Sequence, residues 1–347
     1  MNNAAFIFPA VKGIQANREY YISMVPLEVI PRIFQFIDEE LPVEVRSQRV
    51  LNKSRIPEIR DYILENLDNY VFSSLTVSVD GDMEFTSVGL NDPSIGHIKI
   101  DMSARFLIND GQHRRAAIAE AIKKSTTLKH EHISVVFYRD EGLQRSQQMF
   151  SDLNRYAIRP TKSINILFNS REEASIIAKQ VADRVNAFHG LTEKESTSIS
   201  NRSKALFTLS AICTATSELL KGSTLDTESK INLACTFWEQ VSLHMTEWRA
   251  VKSGEMRAAD IRKHYICSLS ITLVALGAGG KSLISSYPNA WTRRLDALDT
   301  VDWRKSNVVW EDLVFVGGKI AANRATQHAM SNYIIRILTE NAGDECG

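Results

Sequence analysis

The residues with the clearest chemical potential stand in one run, Phe106-Leu107-Ile108-Asn109-Asp110-Gly111-Gln112-His113-Arg114-Arg115-Ala116-Ala117-Ile118. Apolar residues lead into Asn-Asp-Gly, and Ala117, Ile118 and Ala121 follow at helical spacing. The pattern predicts a strand, a glycine turn and the start of a helix. A helix N-terminus offers free N–H groups and a partial positive charge. Glycine lets the backbone approach an anion, and Gln112, His113 and Arg114 add side-chain donors. That is phosphate-binding chemistry. Asp110 has two readings: a carboxylate that holds a divalent metal or orients water, or the N-cap of the helix. The whole run also has a plainer reading, a strand-turn-helix connector with its polar residues in solvent.

A second cluster is Met149-Phe150-Ser151-Asp152-Leu153-Asn154-Arg155. Phe150 and Leu153 are core-spaced, while Asp152 and Asn154 stand at a helix end, where Asn commonly caps. Asp152 is the second candidate catalytic carboxylate, Asn154 a candidate phosphate contact, and Glu84 a third carboxylate near the motifs. A third cluster is basic: Arg46, Arg49, Lys53, Arg55 and Arg60 against Glu44 and Glu58, an excess of three. Residues 104–129 hold six basic and two acidic residues, an excess of four. Arg49, Lys53, Arg55 and Arg115 are the candidate DNA contacts. Charge runs are usually solvated faces, but two in one half of the chain favour a polyanionic partner.

The elements that must position these residues change character along the chain. Residues 55–67 have helical spacing. Residues 71–79 read as a strand ending at Asp80-Gly81, a turn from which 83–88 pairs back as a hairpin. Residues 97–101, 105–108 and 133–138 are further strands, and 114–122 and 144–153 helices. From about Thr161 strand signals fade, and 163–167, 173–188, 202–220, 227–248, 259–278, 310–315 and 325–338 fit helices. The fold expected is an α/β domain over residues 1–165, a mixed sheet with helices, and a mostly α-helical domain over 166–347. No Pro/Gly-rich linker separates them. The polar, serine-rich stretch 194–202 is the best candidate for a mobile loop.

Composition narrows the function. In 347 residues, 41 basic side chains balance 41 acidic ones, which argues against a globally basic nucleic-acid coat. No stretch of eighteen apolar residues appears, so no membrane span is expected, and the N-terminus lacks the positive start of a signal peptide. Cys213, Cys235, Cys267 and Cys346 lie far apart without metal-ligand spacing. They read as reduced core residues of a cytoplasmic protein, and no metal site is expected. There is no Walker A motif.

Asp110-Gly111-Gln112-His113-Arg114 spells DGQHR, and here the chain resembles the DGQHR-domain proteins of the DNA sulfur modification DndB family. Gln48-Arg49 ahead of the Arg55 helix, Tyr70-Val71-Phe72, residues 150–154 and residues 202–210 resemble other segments of that family. The resemblance implies a cytoplasmic bacterial protein encoded beside a DNA phosphorothioation system. It implies a DNA-binding transcriptional regulator acting at the promoter region of the modification genes, while other proteins insert the sulfur. It also implies kinship with the ParB/sulfiredoxin fold, in which Gly111, His113 and Arg114 match positions that contact nucleotide phosphates. Gln112 stands where ParB-like proteins usually carry an acidic residue.

Three functions follow as expectations. The first is the DNA-binding regulator, with basic helix starts at 194–207 or 256–264 as candidate contacts in the helical half. The second is a nucleotide hydrolase or DNA-nicking enzyme, using ATP or another nucleotide with Mg²⁺ at the DGQHR turn. The third is a scaffold for other DNA modification proteins. A homo-oligomer is compatible with all three.

Overall fold

A computed structural model describes residues 4–34, 52–88, 92–142, 145, 148, 149, 151–153 and 160–340. The chain forms two compact units, Met1–Ile158 and Arg159–Gly347. The division falls seven residues before the expected boundary, because the helix Lys162–Phe168 packs with helices of the second unit.

The first unit is built on seven strands: β1 (Ala5–Gln15), β2 (Arg18–Pro26), β3 (Leu75–Asp80), β4 (Met83–Ser87), β5 (Ile95–Asp101), β6 (Arg105–Asp110) and β7 (His132–Arg139). They form one mixed sheet in the order β4-β5-β1-β2-β7-β3-β6, with β3 and β7 parallel and the other pairs antiparallel. The expected hairpin between 71–79 and 83–88 does not form: β3 pairs with β6 and β7, and β4 pairs with β5.

That topology forces the sheet to curl. In a flat sheet β3 and β4 would lie five strand spacings apart, about 24 Å. Only Gly81 and Asp82 join them, and three residue steps span at most about 11 Å. The edges are therefore drawn together, and Phe6 on β1 meets Phe106 on β6 with ring centroids 6.3 Å apart. The Asp101 N–H donates to the Asp82 carbonyl at 3.0 Å, fastening the connection to the end of β5. Inside the curl, Phe8, Val25, Val77, Ile98, Val135 and Phe137 pack with Ile30 of α1 (Ile30–Ile33) and with Ala117, Ile118 and Ala121 of α3 (Gln112–Lys124). Helix α2 (Arg55–Glu65) lies along α3.

The second unit is mostly helical: α4 (Lys162–Phe168), α5 (Glu173–Arg184), α6 (Leu209–Leu219), α7 (Thr227–Leu243), α8 (Thr246–Ser253), α9 (Ala258–His264), α10 (Ser270–Ser286), α11 (Trp291–Arg294) and α12 (Arg324–Glu340). Its core gathers Trp238, Trp248, Trp310, Phe188, Phe207 and Phe237, all essentially inaccessible. α10 approaches α6 so closely that a Cβ on Gly277 would stand 2.1 Å from the Ala215 carbonyl oxygen. Cys213, Cys235 and Cys267 are buried and free, as expected; Cys346 lies outside the described residues. Among the described residues no helix is long and apolar enough to cross a membrane.

Several expected helices are cut short for identifiable reasons. The helix expected from residue 202 begins at Leu209, because Phe207-Thr208 pairs with Thr192-Glu193 and the Thr208 hydroxyl accepts from Ala211 N–H. The helix expected over 259–278 breaks between α9 and α10, where Ile266 N–H donates to the Trp303 carbonyl at 2.9 Å and Tyr265 bridges Arg304. Residues 311–315 are not helical; a 3-10 turn at Val308–Trp310 precedes a short strand at Phe315–Val316. The stretch expected to be mobile is instead tied down. Lys194 pairs with Asp183 at 2.7 Å, the Thr161 and Ser163 hydroxyls donate to the carbonyls of Glu195 and Ser196, and Arg262 grips the carbonyls of Ser200, Ser203 and Ala205.

Candidate functional site

The glycine turn closes β6 and opens α3. Gly111 is the N-cap residue, with φ at +101°. A left-handed backbone of this kind suits glycine. A Cβ added there would also meet Leu75 Cδ2 at 2.3 Å and the Arg114 guanidinium at 3.3 Å. Leu75 and Arg114 therefore leave no room for any side chain at this position.

Arg114 is held from several sides. Nη1 donates to the Ser73 carbonyl, to Ser73 Oγ at 2.6 Å and to the Ser74 carbonyl at 2.9 Å. Nη2 donates to Asp110 Oδ2 at 2.6 Å, and the Arg114 side chain is only 16% exposed. Asp110 thus pairs with Arg114 while Gly111 takes the capping position, so the expected Asp110 cap is not formed. Gln112 folds back, its Nε2 donating to the Ile108 carbonyl at 3.2 Å. His113 Nε2 accepts from the Asn52 N–H at 3.0 Å. An accepting Nε2 requires the unprotonated nitrogen, and partial burial together with the nearby Arg55 charge lowers the His113 pKa.

One residue before the turn, buried Asn109 donates from Nδ2 to Ser78 Oγ at 2.7 Å and approaches Met149 Sδ at 3.1 Å. The helical residues 148, 149 and 151–153 therefore lie beside the turn. Tyr70 and Phe72 stack edge to face, and the Tyr70 hydroxyl donates to Glu131. The segment they begin runs on to Ser73 and Ser74, the residues Arg114 holds. Three segments distant in sequence thus converge on one turn: 52–55 through His113, 70–74 through Arg114, and residues 148, 149 and 151–153 through Asn109. Sequence reasoning singled out parts of each, with Asn109 only as a turn residue, but missed Asn52, Ser73 and Ser74. None is unusual in its local sequence, and only the fold brings them to the turn.

The other predicted residues are distributed unevenly. Lys53 and Arg55 are exposed beside the Asn52 contact. Arg115 Nη2 donates to the Pro31 carbonyl at 3.4 Å, and burial lowers its pKa. Arg60 is tied to Asp61 and Glu120. Asp152 is exposed and accepts from Gln148 within its own helix at 2.7 Å. Glu84 sits on β4, at the opposite end of the strand order from β6. Arg49 and Asn154 lie outside the described residues. Among the described residues no group of three His, Cys, Asp or Glu side chains is arranged to hold a metal ion.

The family model for DndB, DNA-sulfur modification-associated, matches residues 8–341. The chain belongs to the DndB family. No curated protein and no solved structure matches it. DndB membership ties the protein to DNA sulfur modification. The matched span includes the DGQHR turn, all three segments that converge on it and nearly all of the helical unit. For this DndB-family chain, the turn is a junction that latches other segments, with Lys53 and Arg55 presented at its side.

Proposed function

We propose that the protein is a cytoplasmic, DNA-binding transcriptional regulator of a DNA sulfur modification system, acting at the promoter region of the modification genes. The observation that carries this reading is the placement of Lys53 and Arg55. Both are exposed, and the Asn52–His113 bond sets their segment beside the N-terminus of α3. Cations held on a fixed backbone, next to helix N–H groups, are suited to DNA phosphates. Family membership supplies the DNA context. A nucleotide with Mg²⁺ is a poorer fit to the turn, since Arg114 is already bonded to Asp110, Ser73 and Ser74.

Fluorescence anisotropy with a labelled duplex from the promoter region, and an unrelated duplex of equal length, tests the reading. The Lys53→Glu/Arg55→Glu variant should bind both duplexes about tenfold more weakly at about 0.1 M salt, with a salt slope shallower by about two. Parental affinity and slope in the double variant would remove this patch from the footprint. Absence of DNA binding by the parent would leave the scaffold role standing.

A further inference from the structure

The helical unit carries a second set of cations that the DGQHR turn does not explain. They come from three places in the chain: the loop 200–205, the C-terminal turn of α9, and residues 304–305. Arg262 joins the first two. Its Nη2 donates to the Ser200 carbonyl at 2.9 Å, and its two terminal nitrogens reach the Ser203 and Ala205 carbonyls. The third piece is fixed to the second: Lys305 Nζ donates to the Arg262 carbonyl at 2.8 Å, and Lys305 N–H to the His264 carbonyl at 2.8 Å. Arg262 and Lys305 thus hold the framework, while Arg202, Lys204, Lys263 and Arg304 stand exposed on it.

The local balance is positive. Glu247 and Asp302 bear on Arg304, and Asp260, near Lys263, is itself paired with Arg257 at 2.9 Å. The loop adds uncharged donors, with Ser198, Ser200 and Asn201 also exposed. Arg and Lys together with Ser and Asn hydroxyl and amide donors is the side-chain mixture that contacts nucleic-acid backbones. The loop is fixed before any partner arrives, so holding it still costs little on binding.

We infer that this surface, carried by Arg202, Lys204, Lys263 and Arg304, is a contact for the phosphate backbone of DNA, separate from the patch at Lys53 and Arg55. It reads phosphates and not base edges, so its contribution is independent of sequence. The inference rests on the DNA-binding reading above and adds where in the helical unit that binding occurs.

The test uses the full chain carrying Arg202→Glu, Lys204→Glu and Lys263→Glu together, in the same anisotropy assay over a range of salt concentrations. All three side chains are exposed, so the melting temperature should match that of the parent. The triple variant should lose at least about tenfold in affinity for promoter and unrelated duplexes alike, and each lost contact should make the salt slope shallower by about 0.9. If the parent binds and the triple variant matches it in affinity and slope, this inference fails while the DNA-binding reading stands. If the parent binds neither duplex even at about 0.05 M salt, the DNA-binding reading itself fails and this surface goes with it. Loss confined to the promoter duplex would overturn the backbone assignment, because a phosphate contact weakens both.

Discussion

Cations packed into the glycine turn of the α/β unit and cations around α9 of the helical unit have different fates, and Lys53 and Arg55 at the side of the turn are exposed like the second set. At the turn, Arg114 is bonded to Asp110, Ser73 and Ser74, Arg115 reaches Pro31, and Arg60 is tied to Asp61 and Glu120. Around α9, only Arg262 and Lys305 make carbonyl contacts, and they do so in ways that leave Arg202, Lys204 and Lys263 on the outside. Of the six cations in residues 104–129, Arg114 and Arg115 are turned to partners within the unit, while Arg105, Lys123 and Lys124 are exposed. A run of cations in sequence therefore does not locate a phosphate site; what each guanidinium already touches does.

The largest expected effect sharpens this contrast at Gly111. Gly111→Ala places a Cβ at 2.3 Å from Leu75 on a backbone with φ at +101°. Left-handed strain of about 1–2 kcal/mol and overpacking of about 1–3 kcal/mol add to roughly 3 kcal/mol of lost stability. Urea unfolding measures it. A loss below about 1 kcal/mol would mean that the turn yields easily and is no rigid junction.

Next comes Arg114→Ala. If the side chain were a free anion donor, its removal would weaken binding and spare stability. Its position as a latch predicts the reverse. The variant leaves Asp110 and the Ser73 and Ser74 carbonyls short of a charged donor, which is worth about 2 kcal/mol. DNA affinity of the folded fraction should stay within about twofold of the parent. Full stability with lost binding would break the comparison and restore Arg114 as a ligand contact.

Sequence made the unit-level architecture legible, because alternation and helical spacing report local elements. It missed what depends on partners far along the chain. It also missed one local feature, the β1–β2 hairpin, which turns through Ala16 and Asn17, at φ +52° and +60°, without the glycine that usually marks such a turn. Asp80-Gly81 is a turn, as its residue types predict, but it links strands five places apart in the sheet order, and a turn residue does not specify its strand's partner. The break between α9 and α10 has no proline or glycine; backbone pairing of 265–266 with 303–304 makes it. The same logic holds at the site. DGQHR was visible as a string, and its strand-turn-helix setting was visible from spacing. That His113 accepts from Asn52 could not be read, because a backbone N–H carries no signature of its own.

The smallest effect expected is also the one that isolates that bond. Partial burial and the Arg55 charge lower the His113 pKa in the folded protein from its ordinary 6.5. Folded His113 therefore binds fewer protons than unfolded His113 as the pH falls through about 6.5, and stability decreases from that pH downward. Protonation also removes the lone pair on Nε2 that accepts from Asn52. His113→Gln places an uncharged acceptor at about the same reach and does not titrate. Urea midpoints at about pH 7.5 and about pH 5.5 should therefore fall further for the parent than for the Gln variant. The same drop in pH should loosen the parent's 52–55 segment, seen as a lower hydrogen-exchange protection factor at Asn52 once the slower intrinsic exchange at low pH is divided out, and leave protection around α9 unchanged. Equal losses in both proteins would mean that the Asn52 contact contributes nothing to holding Lys53 and Arg55, and the patch beside the turn would then owe its position to α2 packing alone.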